Sequence, residues 1–576
     1  MKHPASETAD IHGIRRYGTV ILIAATVLVF AGGLHFPMLK TLDDWAYVSA
    51  NSNLGFSPDQ LWALITEPVL NLYTPLPMLT YLADYALGGM DPFWYHLQNL
   101  LWHLGTVLLV RHWFRQLGCN VETAFFATLC FAIHPQRVES VVWIAERKDV
   151  CFAFFFLLTL VLQERTRQAE KSASPASGAA MLAALFCKPA AIVLPGILML
   201  LEWRRTRQWS WKTQCRQLLW HGAAAGIWLL FSSGLFRDAA GHARRYGLRP
   251  WTALRNGFLY PLRTLIPADL MPVHPFFEPS LQDQILMISG VVLLMTGCGI
   301  LWRFQRQFFI SAIIPMTGCA LLAALPTLGL LVFSNSDFAD RYSYLPSVFL
   351  WGLLGLAATQ FQWGNARLFR PAAWGTAAAY GLCTLLYLPV WQSDEAAMER
   401  SLTAKHPNLQ AVIAATGLLL ERGETDQAAQ LYFQTPKRGR MPWMEEAFER
   451  YLRLVLLQGD PEMLTKEMEQ YRTREADWEM LKKLYYASAM IFGRAQSNLE
   501  LALGRPDKAA LAMEQTADLY PEDPFLNAFH RGVAAMFRND PASAAVHFEA
   551  ALRIHPDDEF TRKNYEAARS KIAAAP

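Results

Sequence analysis

Long apolar runs constrain this chain more than any other feature, because a run near 20 residues has few soluble uses and matches the thickness of a bilayer. They lie near positions 19–34, 94–113, 121–135, 150–163, 179–203, 218–236, 283–302, 309–333, 345–362 and 371–391. The run at 179–203 is broken by Cys187-Lys188-Pro189 and reads as two short helices meeting at a turn, giving about 11 spans in all. With 53% apolar and 18% charged residues, the chain is too apolar for a string of soluble domains. The eight cysteines fall in or beside the apolar runs without CxxC spacing, so they read as small packing residues rather than a disulfide framework or zinc site. A net charge of +3 and the lack of a basic patch with interleaved aromatics give no sign of nucleic acid as a partner.

Orientation follows from the basic residues of short loops. Arg15-Arg16 precede the first run, which has no convincing small-residue cleavage site and reads as a retained anchor with a cytoplasmic N-terminus. Arg111 and Arg115, Arg165 and Arg167, Arg204, Arg205 and Arg207, Arg303 and Arg306, and Arg367 and Arg370 then fall inside. A long first outer loop, 36–93, lies on the other side with segments 134–149, 237–282 and 334–344. Within 237–282, the stretch Trp251 to Ile266 mixes Arg255 and Arg263 with apolar residues and reads as an interfacial helix. Basic residues on the outer face, among them Arg137, Arg147, Lys148, Lys188, Arg255, Arg263 and Arg341, run against the positive-inside bias and suit a lipid-linked phosphate. For any one of them, pairing with Glu139, Glu146, Asp149, Asp337 or Asp340 is the simpler explanation.

Beyond the last run, the pattern changes to helical pairs. Ala509 and Ala544, Met513 and Phe548, Thr516 and Ala551, and Pro521 and Pro556 recur at a spacing near the roughly 34 residues of a tetratricopeptide repeat, with Gly532 in the first helix of the last unit. An earlier unit falls around Thr416, Gly423, Ala428 and Tyr432, while Trp443 to Phe492 is degenerate, with Gly459 its one clear marker. The expected division is a membrane domain over 1–393 and a repeat domain over 394–576, whose stacked hairpins offer a concave surface to extended peptides. With about 11 spans the repeats lie outside, on the side of the first loop.

Three outer segments concentrate ionisable groups at helix ends. The first opens with Leu42-Asp43-Asp44-Trp45, where adjacent carboxylates are able to serve as general base, metal ligand or helix cap. In the plainest reading, Asp43 caps a short helix and Asp44 is solvated. The second runs from His134 through Arg137 and Glu139 to Glu146-Arg147-Lys148-Asp149, and the third is Ala339-Asp340-Arg341-Tyr342-Ser343-Tyr344-Leu345-Pro346.

These motifs, with Lys188-Pro189 followed by Pro195, and Pro267-Ala268-Asp269-Leu270, resemble the GT-C class membrane glycosyltransferases that end in tetratricopeptide repeats, the group of the transmembrane and tetratricopeptide-repeat O-mannosyltransferases. The resemblance runs nearly the full length, and the Glu146-Arg147-Lys148-Asp149 form looks like the bacterial branch, which implies a bacterial inner membrane with periplasmic repeats. It also implies an all-α fold, a GT-C-like helical domain followed by an α-solenoid, a polyprenyl-phosphate sugar donor, and an acidic residue of the first outer loop at the reacting centre.

Transfer of a sugar from such a donor to a hydroxyl needs a base, positive charge on the leaving phosphate, and a path for a lipid tail. Asp44 or Asp43 fits the base, Arg147, Lys148, Arg341 and Lys188 the phosphate, and a single displacement with inversion follows. His134, Arg137, Glu139, Glu146, Asp149, Asp340 and Tyr342 fit supporting roles, His134 as a helix-end hydrogen-bonder. The scheme requires no cofactor or metal, although the paired aspartates are able to hold a divalent ion. The acceptor is expected on a protein or peptide, presented by the repeats, with a lipid or glycan as the alternative. A non-catalytic scaffold anchored in the membrane needs only one span, and a transporter should show duplicated halves, which the runs lack.

Overall fold

The computed structural model describes residues 4–573 except 71, 171–172, 233–248, 278, 331–336, 364–367, 423, 437–496, 498–499, 502–503, 519–523, 555 and 557. The expectations for Gly423, Pro521, Trp443 to Phe492, and the loop before residue 249 therefore fall outside the described residues. The chain is all-α, with no β-strand among the described residues, and forms two compact units. One comprises Met1–Pro37 with Asn53–Arg400, the other Met38–Ser52 with Ser401–Pro576.

The first unit is a polytopic helical bundle. Its helices are α1 (Pro4–Phe30), α2 (Pro58–Thr66), α3 (Pro75–Gly88), α4 (Pro92–Leu117), α5 (Val121–Ala132), α6 (Arg137–Val142), α7 (Arg147–Gln168), α8 (Pro175–Cys187), α9 (Leu194–Thr206), α10 (Trp211–Gln217), α11 (Leu219–Ser232), α12 (Pro250–Leu265), α13 (Leu281–Phe308), α14 (Ile314–Ala324), α15 (Tyr344–Gln360) and α16 (Phe369–Tyr387). Among the described residues, three stretches are long and apolar enough to cross a membrane, Ile14–His35, Leu281–Thr327 and Phe369–Trp391, and shorter apolar helices include α5, α8 and α11. The 47-residue stretch leaves helical geometry at Gln305, between Arg303 and Arg306, so it divides there into two apolar arms.

Local chemistry sets the helix ends. Asp91 starts α4 by accepting the Phe93 N–H, with Pro92 in the first turn. Gly118 ends it with φ +104°, a conformation that costs a side-chain-bearing residue about 1–2 kcal/mol. Asn120 then caps α5 through Thr123 N–H. Helix α7 packs between α4 and α8, and α5 lies against α1, α4 and α15. Small residues set the approach of α15. A Cβ on Gly352 would stand 3.1 Å from the Phe114 ring and one on Gly355 3.1 Å from Cys119 Sγ, the close packing that membrane helices use in place of a hydrophobic driving force.

In the second unit, Met38–Ser52 contains a single π-helical turn at Trp45–Ser49. Helical hairpins follow, Leu409–Glu421 with Thr425–Gln434, then Pro506–Asp518, Pro524–Phe537, Pro541–Ile554 and Glu559–Ala573. Ala509, Met513, Thr516, Ala544, Phe548 and Ala551, the positions of the sequence repeat, are all buried. Gly532 is required where it stands, because a Cβ there would sit 2.7 Å from the Phe548 ring.

Candidate active site

The break at Lys188 follows from Pro189. A residue before proline is sterically driven out of helical geometry, and Lys188 is extended (φ −157°, ψ 129°) between α8 and a 3₁₀ turn at Pro189–Val193. The turn carries Lys188 out of the helical register, where its ammonium pairs with Asp149 in the first turn of α7 and lies 5.6 Å from the Tyr342 ring.

Arg341 approaches the same place from the short 3₁₀ turn Asp340–Ser343. Its guanidinium pairs with Glu139 Oε1 through Nη1 and stands 3.2 Å from Glu146 Oε1 through Nε, while its backbone N–H donates to Glu139 Oε2 at 2.7 Å. Trp143 and Tyr342 cover it at 5.2 and 4.9 Å. Lys148 closes the cluster, 3.1 Å from Glu146 and donating to the Ala145 carbonyl. Burial pushes the Glu139 carboxyl up against the pull of Arg341, whereas at Glu146 the cations Lys148, Arg341 and Lys188 outweigh burial and hold the carboxyl low.

Asp149, Lys188, Arg341 and Tyr342 line one small open pocket of about 20 Å³, whose remaining wall is largely apolar, including Phe152, Ala190, Ala323 and Leu345. Lys188 and Arg341 are the partly exposed cations here, at 16% and 14%. A polar end with two cations against an apolar wall has the character of a site for an anionic headgroup with a hydrocarbon tail.

Arg147 is held elsewhere. Fully buried, it pairs with Asp84 of α3, donates to Asn99 Oδ1 at 2.7 Å, Gln98 Oε1 at 2.6 Å and the Tyr95 carbonyl at 2.6 Å, and lies 4.3 Å from the Tyr81 ring. It is absent from the pocket lining, and its donors tie α3, α4 and α7 together. Arg137 is also fully buried, between the Phe131 and Tyr344 rings, and donates to Ser343 Oγ at 2.9 Å, which braces the turn carrying Arg341. Asp340 accepts from His274 Nε2 at 3.0 Å and from Met271 N–H at 3.3 Å, with Arg263 at 3.8 Å. His134 donates through Nε2 to the Thr264 carbonyl at 2.9 Å and accepts the Gln136 N–H at Nδ1. Burial first, then Arg137, keeps that imidazole neutral, as a helix-end hydrogen-bonder. Helix α12 fastens the assembly through a stripe of buried residues four apart, Thr252, Asn256, Tyr260 and Thr264. Asn256 donates to the Leu328 and Asp337 carbonyls and Tyr260 to the Thr327 carbonyl.

Asp43 and Asp44 belong to the second unit. Asp44 is buried and accepts the Leu39 N–H at 2.9 Å, and its side chain makes no cap to the turn that follows. The Asp43 backbone carbonyl accepts the N–H groups of Ala46 and Tyr47. The plain expectation of a solvated Asp44 is thus replaced by a buried carboxylate that closes its own loop. Among the described residues, no group of three or more His, Cys, Asp or Glu is placed to hold a metal. Asp84 and His274 escaped the sequence reading. Asp84 had one signal, as the sole charged residue of an otherwise uncharged helix.

Fold and site together define an integral membrane protein with an all-helical, polytopic unit carrying a cation-lined pocket, and a unit of helical hairpins. No protein-family model matches the chain. It is similar to protein O-mannosyl-transferase TMTC2 of Mus musculus, 38% identical over 89 residues, which cover 16% of this chain and 11% of that protein. It is also similar to protein O-mannosyl-transferase Tmtc3 of Drosophila melanogaster, 30% identical over 160 residues, covering 23% of this chain and 17% of that protein. The chain thus spans between about a tenth and a sixth of the length of these curated relatives. Among solved structures, ArnT from Cupriavidus metallidurans bound to undecaprenyl phosphate aligns over 92% of this chain and 79% of that one, at 14% identity and a TM-score of 0.35.

Proposed function

We propose that this protein is a membrane glycosyltransferase that moves a sugar from a polyprenyl-phosphate donor to a protein hydroxyl on the outer face of a bacterial inner membrane. The observation that carries the reading is the convergence of Lys188 and Arg341, from segments 153 positions apart in sequence, on one pocket that has an apolar wall. The matched relatives, named as protein O-mannosyl-transferases, support the transferase class and the protein acceptor.

In this reading Lys188 and Arg341 receive the donor phosphate and stabilise the charge that grows on it as the glycosidic bond breaks. The anomeric carbon is attacked from the opposite face by the acceptor hydroxyl, whose proton passes to Asp44 or Asp43, with inversion at the sugar. Lys148 and Glu146 set the electrostatics around Arg341, and Arg137, Asp340 and Tyr342 position its turn. Arg147 acts at a distance, by fixing the start of α7. The repeats present the acceptor.

The test is sugar transfer from a polyprenyl-phosphate donor in detergent. Lys188→Ala and Arg341→Ala, each checked for folding, should weaken donor use by 10-fold or more, as expected when a charged hydrogen bond of about 1.5–3 kcal/mol is lost. Well-folded variants that both transfer at the parent rate would refute the assignment.

A further inference from the structure

The carboxylate inside the cation pocket is the feature that phosphate binding leaves unexplained. Asp149 is the one carboxylate among the residues lining it, and it shares Lys188 with whatever anion enters. An arriving phosphate competes for that ammonium and places a second negative charge beside the carboxylate. At a separation of about 5 Å and an effective dielectric near 20, a like charge makes ionisation roughly 300-fold harder. We infer that Asp149 takes up a proton from solvent when a phosphodiester enters the Lys188–Arg341 pocket, and holds it as a hydrogen-bond donor facing the phosphate.

The surroundings make Asp149 the group that responds. Glu139 and Glu146 sit behind Arg341 and engage it directly, outside the lining. Facing Asp149 are Lys188 from the α8–α9 break, Arg341 from the 340–343 turn, Tyr344 from α15, Arg137 from α6, Glu146 from the approach to its own helix and Lys148 from that helix's first turn. Burial, against the pull of Lys188 and Lys148, already pushes its carboxyl up to about 6, so it is ionised at neutral pH in the empty pocket yet close to titrating. The sign follows by linkage: a bound state that carries one more proton binds more weakly as pH rises, by up to about tenfold per pH unit between the ligand-free value and the raised value of the bound state, and levels off above it.

This inference rests on the phosphate reading above, and the experiment separates the two. Dihexadecyl phosphate in detergent micelles has a fixed single charge near neutral pH, so any proton taken up goes to the protein. Titration calorimetry in buffers of different ionisation enthalpy counts that proton. The full-length parent should take up about one proton per phosphate at pH 7 and lose affinity with rising pH. Asp149→Asn, which carries the neutral hydrogen-bonding form permanently, should bind at least as tightly at pH 8, take up no proton and lose the pH dependence. Glu139→Gln should keep both. Binding without proton uptake in the parent overturns the inference and leaves the phosphate site intact; uptake that survives in Asp149→Asn also overturns it. Absence of binding to the parent, or binding unchanged when Lys188 and Arg341 are both replaced by Ala, overturns the phosphate site itself.

Discussion

Replacing Arg147 with Met tests whether a basic residue of the 146–149 motif serves structure or ligand. The structure places this guanidinium at zero exposure, with Asp84, Asn99, Gln98 and the Tyr95 carbonyl as acceptors. Met roughly fills the aliphatic volume but strands Asp84 as a buried, unpaired carboxylate, a loss of about 3–5 kcal/mol. The Tyr95 carbonyl and Asn99 Oδ1 together add about 1 kcal/mol, since the Asn99 amide nitrogen is held by the Trp143 and Ile144 carbonyls and the amide does not turn. The expected destabilisation is therefore about 4–6 kcal/mol, or roughly 10 °C in the unfolding midpoint at about 2 °C per kcal/mol for a large domain. Thermal unfolding in detergent, followed by tryptophan fluorescence, measures it. Asp84→Leu should cost a similar amount alone, and the double variant should recover much of the loss, because removing both partners leaves no stranded charge. Additive losses would refute the ion-pair account. A stable Arg147→Met protein that no longer binds a phosphate amphiphile would refute the structural assignment and return Arg147 to the ligand.

Asp44→Asn and Asp43→Asn, assayed for transfer after a folding check, should show a loss of about 100- to 10,000-fold in whichever carries the base; near-parental rates in both would make the loop structural. A reporter active only in the cytoplasm and fused after Pro576 should stay silent, and a signal would reverse the topology. Gly355→Leu should prevent assembly of the first unit, since even a Cβ meets Cys119 Sγ at 3.1 Å, and normal thermal stability would contradict the close packing.

The fold was legible wherever the signal is local. Apolar length marks the three stretches long enough to cross a membrane among the described residues, the Lys188-Pro189 dipeptide marks the break between α8 and α9, and the buried repeat positions follow from small residues at a fixed spacing. The division of labour among the basic residues was not. Arg147 and Lys148 are neighbours in sequence, but successive helical residues point about 100° apart. One therefore faces Asp84 while the other reaches Glu146. The partners that decide this, Asp84 and Asn99, come from distant helices with no motif around them, and a single sequence carries no record of such pairings.

Exposure then separates cations of equal charge. Arg147 and Arg137 are wholly enclosed, and each is held by aromatic faces and protein acceptors, so a change of partner would require the bundle to open. Lys188 and Arg341 keep an edge on the pocket, with carboxylates that compete with an anion for the same donors. Carboxylates in that position keep the cations aligned without a ligand, which avoids the cost of a buried unpaired charge. They also tie occupancy to their own protonation. A site lined by bare lysine and arginine would bind any phosphate at any pH; one in which Asp149 must yield its ammonium responds to proton concentration as well as to charge, which is the behaviour that the calorimetric proton count measures.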